Sequence, residues 1–254
     1  MLDFLPDGVI ATAFGVLAST AFVAAMARGF SGFGGALIFI PVASAIIGPK
    51  TAVPLILLID GVLSAGLLPK AWPLADKEEV AIMVAGALVG VPAGTRLLAS
   101  TDPMVIRWAI VLLAGGMLAL LASGWRYHGK PTTAATLGVG ALSGICTGAA
   151  QVGGPPLVVY WLGGIIPAAT ARANMVLFFA LSTVISVVSY LTGGLFTRTA
   201  LSLALIIAPA YGVGLFVGSR LFGLAGESTF RRICFGLIAL AVLLGLPTLD
   251  GFIR

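Results

Sequence analysis

The sequence predicts an all-α polytopic membrane protein made of two homologous, inverted repeats, with a broken or short helix in each half. Its 254 residues are 59% hydrophobic and only 9% charged, whereas soluble domains carry about 25% charged residues. Apolar stretches of about 20 residues recur from end to end, and each can cross a hydrocarbon core of roughly 30 Å. Two glycine-rich breaks interrupt these stretches at corresponding points of the two halves.

Ten apolar segments follow one another along the chain. The first lacks the basic residues that precede the apolar part of a cleaved signal peptide, so we expect it to remain as a helix. Segments 35–47 and 154–165 are too short to span a bilayer at 1.5 Å per residue, and we expect half-helices or re-entrant pieces there. The predicted segments are 8–28, 35–47, 51–69, 79–99, 103–123, 132–149, 154–165, 168–192, 199–222 and 229–248.

The duplication is visible in the glycine-rich breaks and beyond them. Gly29-Phe-Ser-Gly-Phe-Gly-Gly35 and Gly148-Ala-Ala-Gln-Val-Gly-Gly154 are offset by 119 positions and share glycine at the first, sixth and seventh places. Gly90–Leu97 resembles Gly214–Leu221 at an offset of 124 positions. These matches predict an N-terminal repeat, a polar hinge and a C-terminal repeat, at residues 1–123, 124–131 and 132–254.

The number of segments sets the relative orientation of the repeats. Five membrane segments in each repeat, an odd number, would invert one repeat relative to the other. If the N-terminus lies outside, most lysines and arginines then fall on the cytoplasmic side, in agreement with the positive-inside tendency. Four spans in each repeat would give parallel repeats and would divide the positive charges almost evenly, so inverted repeats are favoured.

The two breaks are the predicted binding site. Inside a bilayer, non-helical backbone survives only where it is buried in protein or lines a cavity. Half-helices that begin at Gly34-Gly35 and Gly153-Gly154 would direct N–H groups and a positive dipole end toward that cavity, which suits an anion. Tight helix packing by small residues is the alternative. Paired breaks in two halves of a chain are typical of transporter sites, and Pro155-Pro156 after the second break favours a helix start.

A few polar side chains near the breaks are candidates for substrate binding. The Gln151 amide can donate to an oxyanion, Ser31 occupies the equivalent region of the first half, and Thr147 directly precedes the second break. Arg172 and Asn174 follow the second half-helix, and a guanidinium suits oxyanions. Interhelical hydrogen bonds are the alternative role for the neutral residues, and snorkelling to the interface is the alternative for Arg172.

Asp60 is the acid that lies in the middle of an apolar span. Charges at that depth are costly and indicate function by default. Asp60 is therefore a candidate for relaying a coupling proton, and the alternative is a structural partnership with a cation.

Several arginines flank the loops at 100–102 and 223–228. These loops contain Asp102 and Glu227, so local ion pairing is the expected role of the arginines. They are Arg96, Arg107, Arg220, Arg231 and Arg232.

The sequence also excludes several classes of function. The net charge of +5 comes without a basic face interleaved with aromatic residues, so we expect no nucleic-acid partner. Cys146, Cys234 and the single His128 form no metal-ligand cluster, and no metal or other cofactor is predicted. The absence of a Walker-type phosphate loop argues against ATP-driven transport. The sequence also lacks a Ser-His-Asp constellation, so we do not expect an enzyme.

The break Arg28-Gly-Phe-Ser-Gly-Phe-Gly-Gly35, its partner ending in Gly153-Gly-Pro-Pro156, and the two similar apolar halves resemble the TauE/SafE sulfite exporter family over nearly the whole chain. The resemblance implies a secondary transporter in the inner membrane of a bacterium. Its substrates would be small sulfur-containing anions such as sulfite, sulfoacetate or other organosulfonates. The lipid bilayer, the anion and a possible coupling proton are the implied partners.

The resulting hypothesis is alternating access around a midplane anion site. The backbone amides of Gly34-Gly35 and Gly153-Gly154, with Gln151 and Arg172, would hold the substrate oxygens. A passive anion channel is the alternative, and a membrane-embedded enzyme or assembly factor is disfavoured because no catalytic pair lies in the apolar spans. The anion, the direction of transport, the coupling ion and the oligomeric state stay open.

Overall fold

The computed structural model describes residues 11–31, 34–125, 127, 132–162, 166–221 and 227–250, and most of these residues are helical. Short 3-10 turns occur at Ala65–Leu67 and Pro247–Leu249. The α-helices of the described residues are α1 (Ala11–Ser31), α2 (Gly35–Ile47), α3 (Pro49–Ser64), α4 (Leu68–Ala71), α5 (Lys77–Ser100), α6 (Pro103–Ala122), α7 (Thr133–Ala150), α8 (Gly154–Trp161), α9 (Ala168–Thr192), α10 (Arg198–Leu221) and α11 (Glu227–Gly245).

This architecture confirms the predicted class, an all-α polytopic membrane protein. Within the described residues, six helices are long and apolar enough to cross a membrane. The short segments at the breaks are also confirmed, because α2 has 13 residues and α8 has 8. The six candidate spans are Thr12–Phe30, Lys77–Ser100, Pro103–Ala122, Thr133–Ala150, Ala169–Thr192 and Arg198–Leu221.

The chain folds into two compact units, and each unit draws helices from both predicted repeats. The first unit contains α1, α2, most of α3, α6, α10 and α11, and the second contains α4, α5, α7, α8 and α9. The repeat boundaries therefore stay a prediction from the sequence matches. The first unit comprises Met1–Ile59, Thr101–Ala119 and Leu195–Arg254, and the second comprises Asp60–Ser100 and Leu120–Gly194.

In the second unit, glycines bring α5 and α7 into backbone contact. A Cβ atom added to Gly140 would collide with the Met83 carbonyl, and one added to Gly148 would collide with the carbonyl of Val91. The residue numbers rise together on the two helices, so α5 and α7 run parallel. Small residues at four-residue spacing permit this close approach in membrane proteins. The glycines in this contact are Gly86, Gly90, Gly94, Gly140, Gly144 and Gly148.

The first unit repeats this arrangement with α1 and α10. A Cβ atom on Gly214 would collide with the Phe22 carbonyl, and one on Gly218 would collide with that of Met26. The 124-residue offset relates α5 to α10, and the 119-residue offset relates α7 to α1. The pairs α5–α7 and α1–α10 are thus equivalent under the duplicated sequence pattern. Inversion of the repeats stays a prediction.

Helix α8 turns back along α7. The Ser143 hydroxyl donates to the Gly153 carbonyl at 2.7 Å at the start of α8, and the hydroxyls of Thr136 and Tyr160 are 2.6 Å apart near its end. Ser143 follows Thr136 on α7, whereas Gly153 precedes Tyr160, so the two helices are antiparallel. Helix α8 is therefore a short returning segment within the second unit, as its length indicated.

Arg107 on α6 forms an ion pair that differs from the predicted one. Its Nη1 and Nη2 atoms donate to the two Asp250 carboxylate oxygens at 2.6 and 2.9 Å, and its side chain is 7% exposed. Asp102 instead accepts the Met104 backbone N–H at 2.8 Å and the Val105 N–H at 3.4 Å, as a helix-capping residue does. Local pairing of Arg107 was thus a wrong expectation, because the nearby acid is used by the helix start. The Glu227 side chain lies outside the described residues.

We expect Asp250→Ala to lower the free energy of unfolding by about 2 kcal/mol, because it leaves the buried Arg107 guanidinium without its carboxylate. The figure is below that of a fully buried pair, since the Asp250 side chain is 30% exposed. Denaturation in mild detergent by added sodium dodecyl sulfate measures the change. The control is the Arg107→Met/Asp250→Ala double variant, which should recover most of the loss. Equal stability of the single variant and wild type would contradict the prediction.

Candidate functional site

The second break begins where α7 ends at Gln151. This residue has φ 55° and ψ 22°, and among the described residues it is the one non-glycine in the left-handed region. Its backbone N–H donates to the Cys146 and Thr147 carbonyls and closes the helix. A left-handed non-glycine residue costs roughly 1–2 kcal/mol, and such conformations cluster at functional sites. The strained backbone therefore makes Gln151 a candidate functional residue.

A buried tyrosine holds the Gln151 amide. Gln151 Nε2 donates to the Tyr190 hydroxyl at 3.2 Å, and that hydroxyl donates to the Gly148 carbonyl at 2.8 Å. Tyr190 lies on α9 and is fully buried. An amide nitrogen carries two N–H groups, so one remains for a ligand after the bond to Tyr190 is made. The contact orients the side chain that the sequence singled out.

A threonine hydroxyl faces the start of α8. A Cβ atom on Gly153 would collide with Thr147 Oγ1 and would lie 2.6 Å from the Ser143 carbonyl oxygen, so glycine is required at this position. Thr147 is 4% exposed, and its Oγ1 has no hydrogen-bond partner. A buried polar group without a partner costs about 1–3 kcal/mol, and such groups in native proteins call for an explanation. The structure therefore brings Thr147, Gln151, Gly153 and Gly154 together.

The backbone at the start of α8 adds a small number of donors. The first N–H groups of a helix have no partner within the helix. Pro155 and Pro156 carry no N–H, so the amides of Gly153 and Gly154 are the ones this helix start can offer. The break thus presents uncharged donors: two backbone amides, a hydroxyl and a side-chain amide.

Two more buried hydroxyls lie on the face of α9 that carries Tyr190. Ser182 and Ser186 are at most 1% exposed, and their Oγ atoms have no hydrogen-bond partner. The four-residue spacing places them two turns and one turn before Tyr190 on the same helix face. Ser186 and Ser182 therefore lie one and two turns before the residue that contacts the last turn of α7.

The break lies well inside the second unit. Ser143 and Thr147, which border Gly153, follow the first residue of α7 by 10 and 14 positions. At 1.5 Å per residue they are about 15 and 21 Å along a helix of roughly 27 Å. The donors therefore lie in the last turn of a candidate membrane span and directly after it.

Arg172 and Asn174 lie elsewhere. Asn174 is fully buried, and its Oδ1 accepts the Asp76 backbone N–H at 2.8 Å, whereas Arg172 is exposed. They precede Tyr190 on the continuous helix α9 by 18 and 16 residues, which is about 27 and 24 Å. The structure does not bring these two predicted site residues to the break. Both residues are close to α8 in sequence. However, α8 runs back along α7, so α9 begins away from the break at which α8 starts.

The first break has related geometry in the first unit. Gly34 has φ 91°, and a Cβ atom on Gly35 would lie 3.0 Å from the Ala24 carbonyl oxygen and 3.2 Å from Arg28 Cβ. At the 119-residue offset, Ala24 and Arg28 correspond to Ser143 and Thr147, and Gly35 lies one position after the equivalent of Gly153. The side chain of the candidate Ser31 lies outside the described residues.

Asp60 belongs to the second unit and is half-buried. Its Oδ1 accepts a hydrogen bond from the Ser64 hydroxyl at 3.2 Å. A Cβ atom on the adjacent Gly61 would lie 2.8 Å from Thr183 Cγ2, so the chain here packs closely on α9. The proton role of Asp60 stays a prediction. Over the part of the chain that the structure describes, no group of three His, Cys, Asp or Glu residues could hold a metal ion.

Sequence reasoning missed four polar residues of this region, Ser143, Ser182, Ser186 and Tyr190. A signal was present, because Ser182, Ser186 and Tyr190 recur every four residues in an apolar helix, and Ser143 stands one turn before Thr147. Polar residues on one face of a spanning segment indicate an interior face.

Comparison with known proteins gives the family. A family model described as sulfite exporter TauE/SafE matches residues 17–245 and confirms the resemblance seen in the glycine-rich breaks. Searches of curated proteins and of solved structures gave no match. The chain is a multi-pass membrane protein, and it belongs to the TauE/SafE sulfite exporter family.

Proposed function

We propose that this protein is a secondary active transporter that exports small sulfur-containing anions, and that the second break binds the anion. Membership of the family supports the general activity. The main support for this location of the site is that Thr147 Oγ1, a buried hydroxyl beside the start of a half-helix, has no hydrogen-bond partner. Sulfite and sulfonate oxygens accept hydrogen bonds, so the ligand would supply what this hydroxyl lacks.

The donor set suits transport of an anion. Thr147, Gln151 and the amides of Gly153 and Gly154 are neutral, so they can stabilise negative charge without the strong attraction of a buried cation. A helix start adds a partial positive charge at the same place. Moderate attraction allows both capture and release, which a transporter requires. The proposed substrates are sulfite, sulfoacetate and other small organosulfonates.

The remaining parts of the proposal extend the sequence hypothesis. Gly34 and Gly35 would provide an equivalent helix start in the first unit, where the residues after Gly35 retain their N–H groups. Alternating access in the inner membrane of a bacterium would move the anion, and Asp60 is one candidate for carrying a coupling proton. Arg172 and Asn174, which lie about 24–27 Å along α9 from Tyr190, would act at a different stage of the passage.

The Thr147→Val variant tests the site, because it removes the hydroxyl and preserves the shape of the side chain. We expect a 10- to 100-fold loss of affinity for sulfite or sulfonate, the cost of one hydrogen bond to a charged ligand. We also expect the ligand-free protein to keep or gain stability, because the lost hydroxyl had no partner. Ligand-dependent thermal shifts of the purified protein measure both quantities.

Thr136→Val is the matched control on the same helix. The Thr136 hydroxyl already bonds to Tyr160, so this variant should lose about 1 kcal/mol of stability and keep its ligand affinity. Unchanged affinity in Thr147→Val would remove the second break from the proposed site. Liposomes that equilibrate labelled sulfite without concentrating it, and that show no counterflow, would identify a passive channel in place of a transporter.

A further inference from the structure

The first turn of α5 contains a carboxyl group that its helix cap does not use. Asp76 precedes the helix, and its Oδ1 accepts the Glu79 backbone N–H at 3.1 Å. In a capping box, the glutamate at this position accepts a hydrogen bond from the backbone N–H of the N-cap residue, which here is Asp76. Here Asn174 Oδ1 occupies that N–H at 2.8 Å. The Glu79 carboxyl is therefore released from the role that its position in the helix would give it.

The Glu79 side chain is half-buried. Glu79 Oε1 is inaccessible to solvent and has no hydrogen-bond partner. The indole of Trp161, at the end of α8, is near enough to interact with it, although the indole N–H completes no hydrogen bond. Val80, Trp161 and Phe178 belong to one buried cluster at this place. An acceptor atom thus lies in apolar surroundings.

Two buried donors without partners lie on the neighbouring helices α8 and α9. Trp161 is 1% exposed and Asn174 is fully buried, and neither Trp161 Nε1 nor Asn174 Nδ2 has a hydrogen-bond partner. Glu79 and Trp161 are close to each other, and Asn174 contacts Asp76 at the start of the same helix turn. Buried polar atoms without partners call for an explanation. The Glu79 carboxyl can therefore exist in two states. In one it is protonated and neutral, and in the other it is ionised and accepts hydrogen bonds from neutral donors.

We propose that Glu79 is a proton-binding site, neutral when protonated and, when ionised, hydrogen-bonded to the Trp161 indole and the Asn174 amide. A protonated carboxyl carries no net charge, whereas an ionised carboxyl accepts hydrogen bonds from donors such as the indole N–H. The proposed anion site does not include this carboxyl.

Charged and polar groups of several elements face Glu79. The Asp76 carboxylate faces Glu79 from the preceding turn and acts on it with the same sign of charge, and the Tyr160 hydroxyl faces it from α8. Tyr127 stacks on the Tyr160 ring at 5.2 Å. Lys77 lies over the Trp72 ring at 5.1 Å. The remaining charged residues near this end of the unit, Lys70 on α4, Glu78 on α5 and Arg172 on α9, are exposed.

Helix α8 connects this carboxyl to the proposed anion site. Gly153-Gly154 begins the helix and Trp161 ends it, so its two ends are about 12 Å apart at 1.5 Å per residue. Movement of the Trp161 indole toward an ionised Glu79 would displace the same short helix whose start borders Thr147. The role of this proton in coupling rests on the proposed function, whereas proton binding itself does not.

Chemical modification of the wild-type protein tests proton binding without any variant. A hydrophobic carbodiimide adds to a protonated buried carboxyl and forms a stable N-acylurea, which peptide mass spectrometry locates. We expect modification of Glu79 that decreases as the pH is raised, and little modification of the exposed neighbour Glu78. Absence of modification at Glu79 at every pH between 5 and 8, or equal modification of Glu78, would overturn the proposal.

Fluorescence gives a second, independent test. In a Trp72→Phe/Trp108→Phe/Trp125→Phe background Trp161 is the remaining tryptophan, and we expect its emission to titrate with pH. Glu79→Gln should abolish this titration, whereas Glu78→Gln in the same helix turn should preserve it. Persistence of the titration in Glu79→Gln would contradict the assignment.

A transport measurement separates coupling from anion binding. In liposomes loaded with a pH indicator, sulfite flux through wild type should move protons. In Glu79→Gln the rate of proton movement should fall at least tenfold, whereas the sulfite-induced thermal shift of the purified variant should remain. Normal proton movement in Glu79→Gln would overturn the coupling role. Loss of thermal shifts in wild type would instead refute the proposed anion site and leave the carbodiimide result unaffected.

Discussion

We expect Gly140→Ala to destabilise the protein by about 3 kcal/mol, because its new methyl group would collide with the Met83 backbone. Both partners in this collision are helical backbone, so neither can move aside as a flexible side chain does. The whole α5–α7 contact would have to separate, and dispersion contacts along the pair would be lost with it. Unfolding in mixed detergent micelles measures the effect.

Gly138→Ala is a matched control, because Gly138 lies on the same helix and has no atom near the position of an added Cβ. Alanine is a better helix former than glycine, so this variant should keep its stability or gain about 0.5–1 kcal/mol. Opposite signs for the two variants are the expected result. Similar effects would show that the parallel pair of α5 and α7 is not packed through its glycines.

We expect Gln151→Glu to lower anion transport at least a hundredfold. A carboxylate at this position would stand beside the proposed oxyanion, and two like charges 4 Å apart repel by about 4 kcal/mol at an effective dielectric constant of 20. The Tyr190 hydroxyl can donate to the new carboxylate if it releases the Gly148 carbonyl, so the carboxylate has a local partner. Uptake of labelled sulfite into liposomes measures the loss.

Gln151→Leu separates the charge from the loss of the amide. It removes the same hydrogen bond to Tyr190 and adds no charge, so we expect a loss of transport of about tenfold and a loss of stability of about 1 kcal/mol. Near-normal transport in Gln151→Glu would exclude this break as the place where the anion passes. Equal losses in the two variants would show that Gln151 supports the fold and does not face the anion.

The predicted segments agree with the helices because hydrophobicity and length act locally. Segment 35–47 matches α2, and segment 168–192 matches α9, residue for residue. Glycine and proline mark the helix starts at Gly35 and Gly154 for reasons contained in the backbone itself. The class of protein, the family and the two breaks could all be inferred without coordinates.

The membership of the candidate site depended on the course of the chain. Arg172 is 18 residues from Gly154 in sequence and was therefore grouped with the break, yet α8 returns along α7 and α9 begins at the distant end. Thr147 was predicted for its position beside the break; it lies against Gly153, and its role in binding stays a prediction. Ser186 and Tyr190 were missed because nothing local relates α9 to the last turn of α7.

The sequence by itself determined that this is a polytopic helical membrane protein of the TauE/SafE family with two matched glycine-rich breaks, because composition, length and glycine spacing are local properties of the chain. Only the tertiary structure decided which side chains share a place. Thr147, Gln151 and Tyr190 lie together, and Arg172 and Asn174 lie near the other end of α9. Glu79 is near Trp161, and Asn174 takes the backbone N–H that a capping glutamate would bind. The reason is that these contacts depend on the direction in which each helix returns and on which face it buries, and residues far apart in the chain decide both.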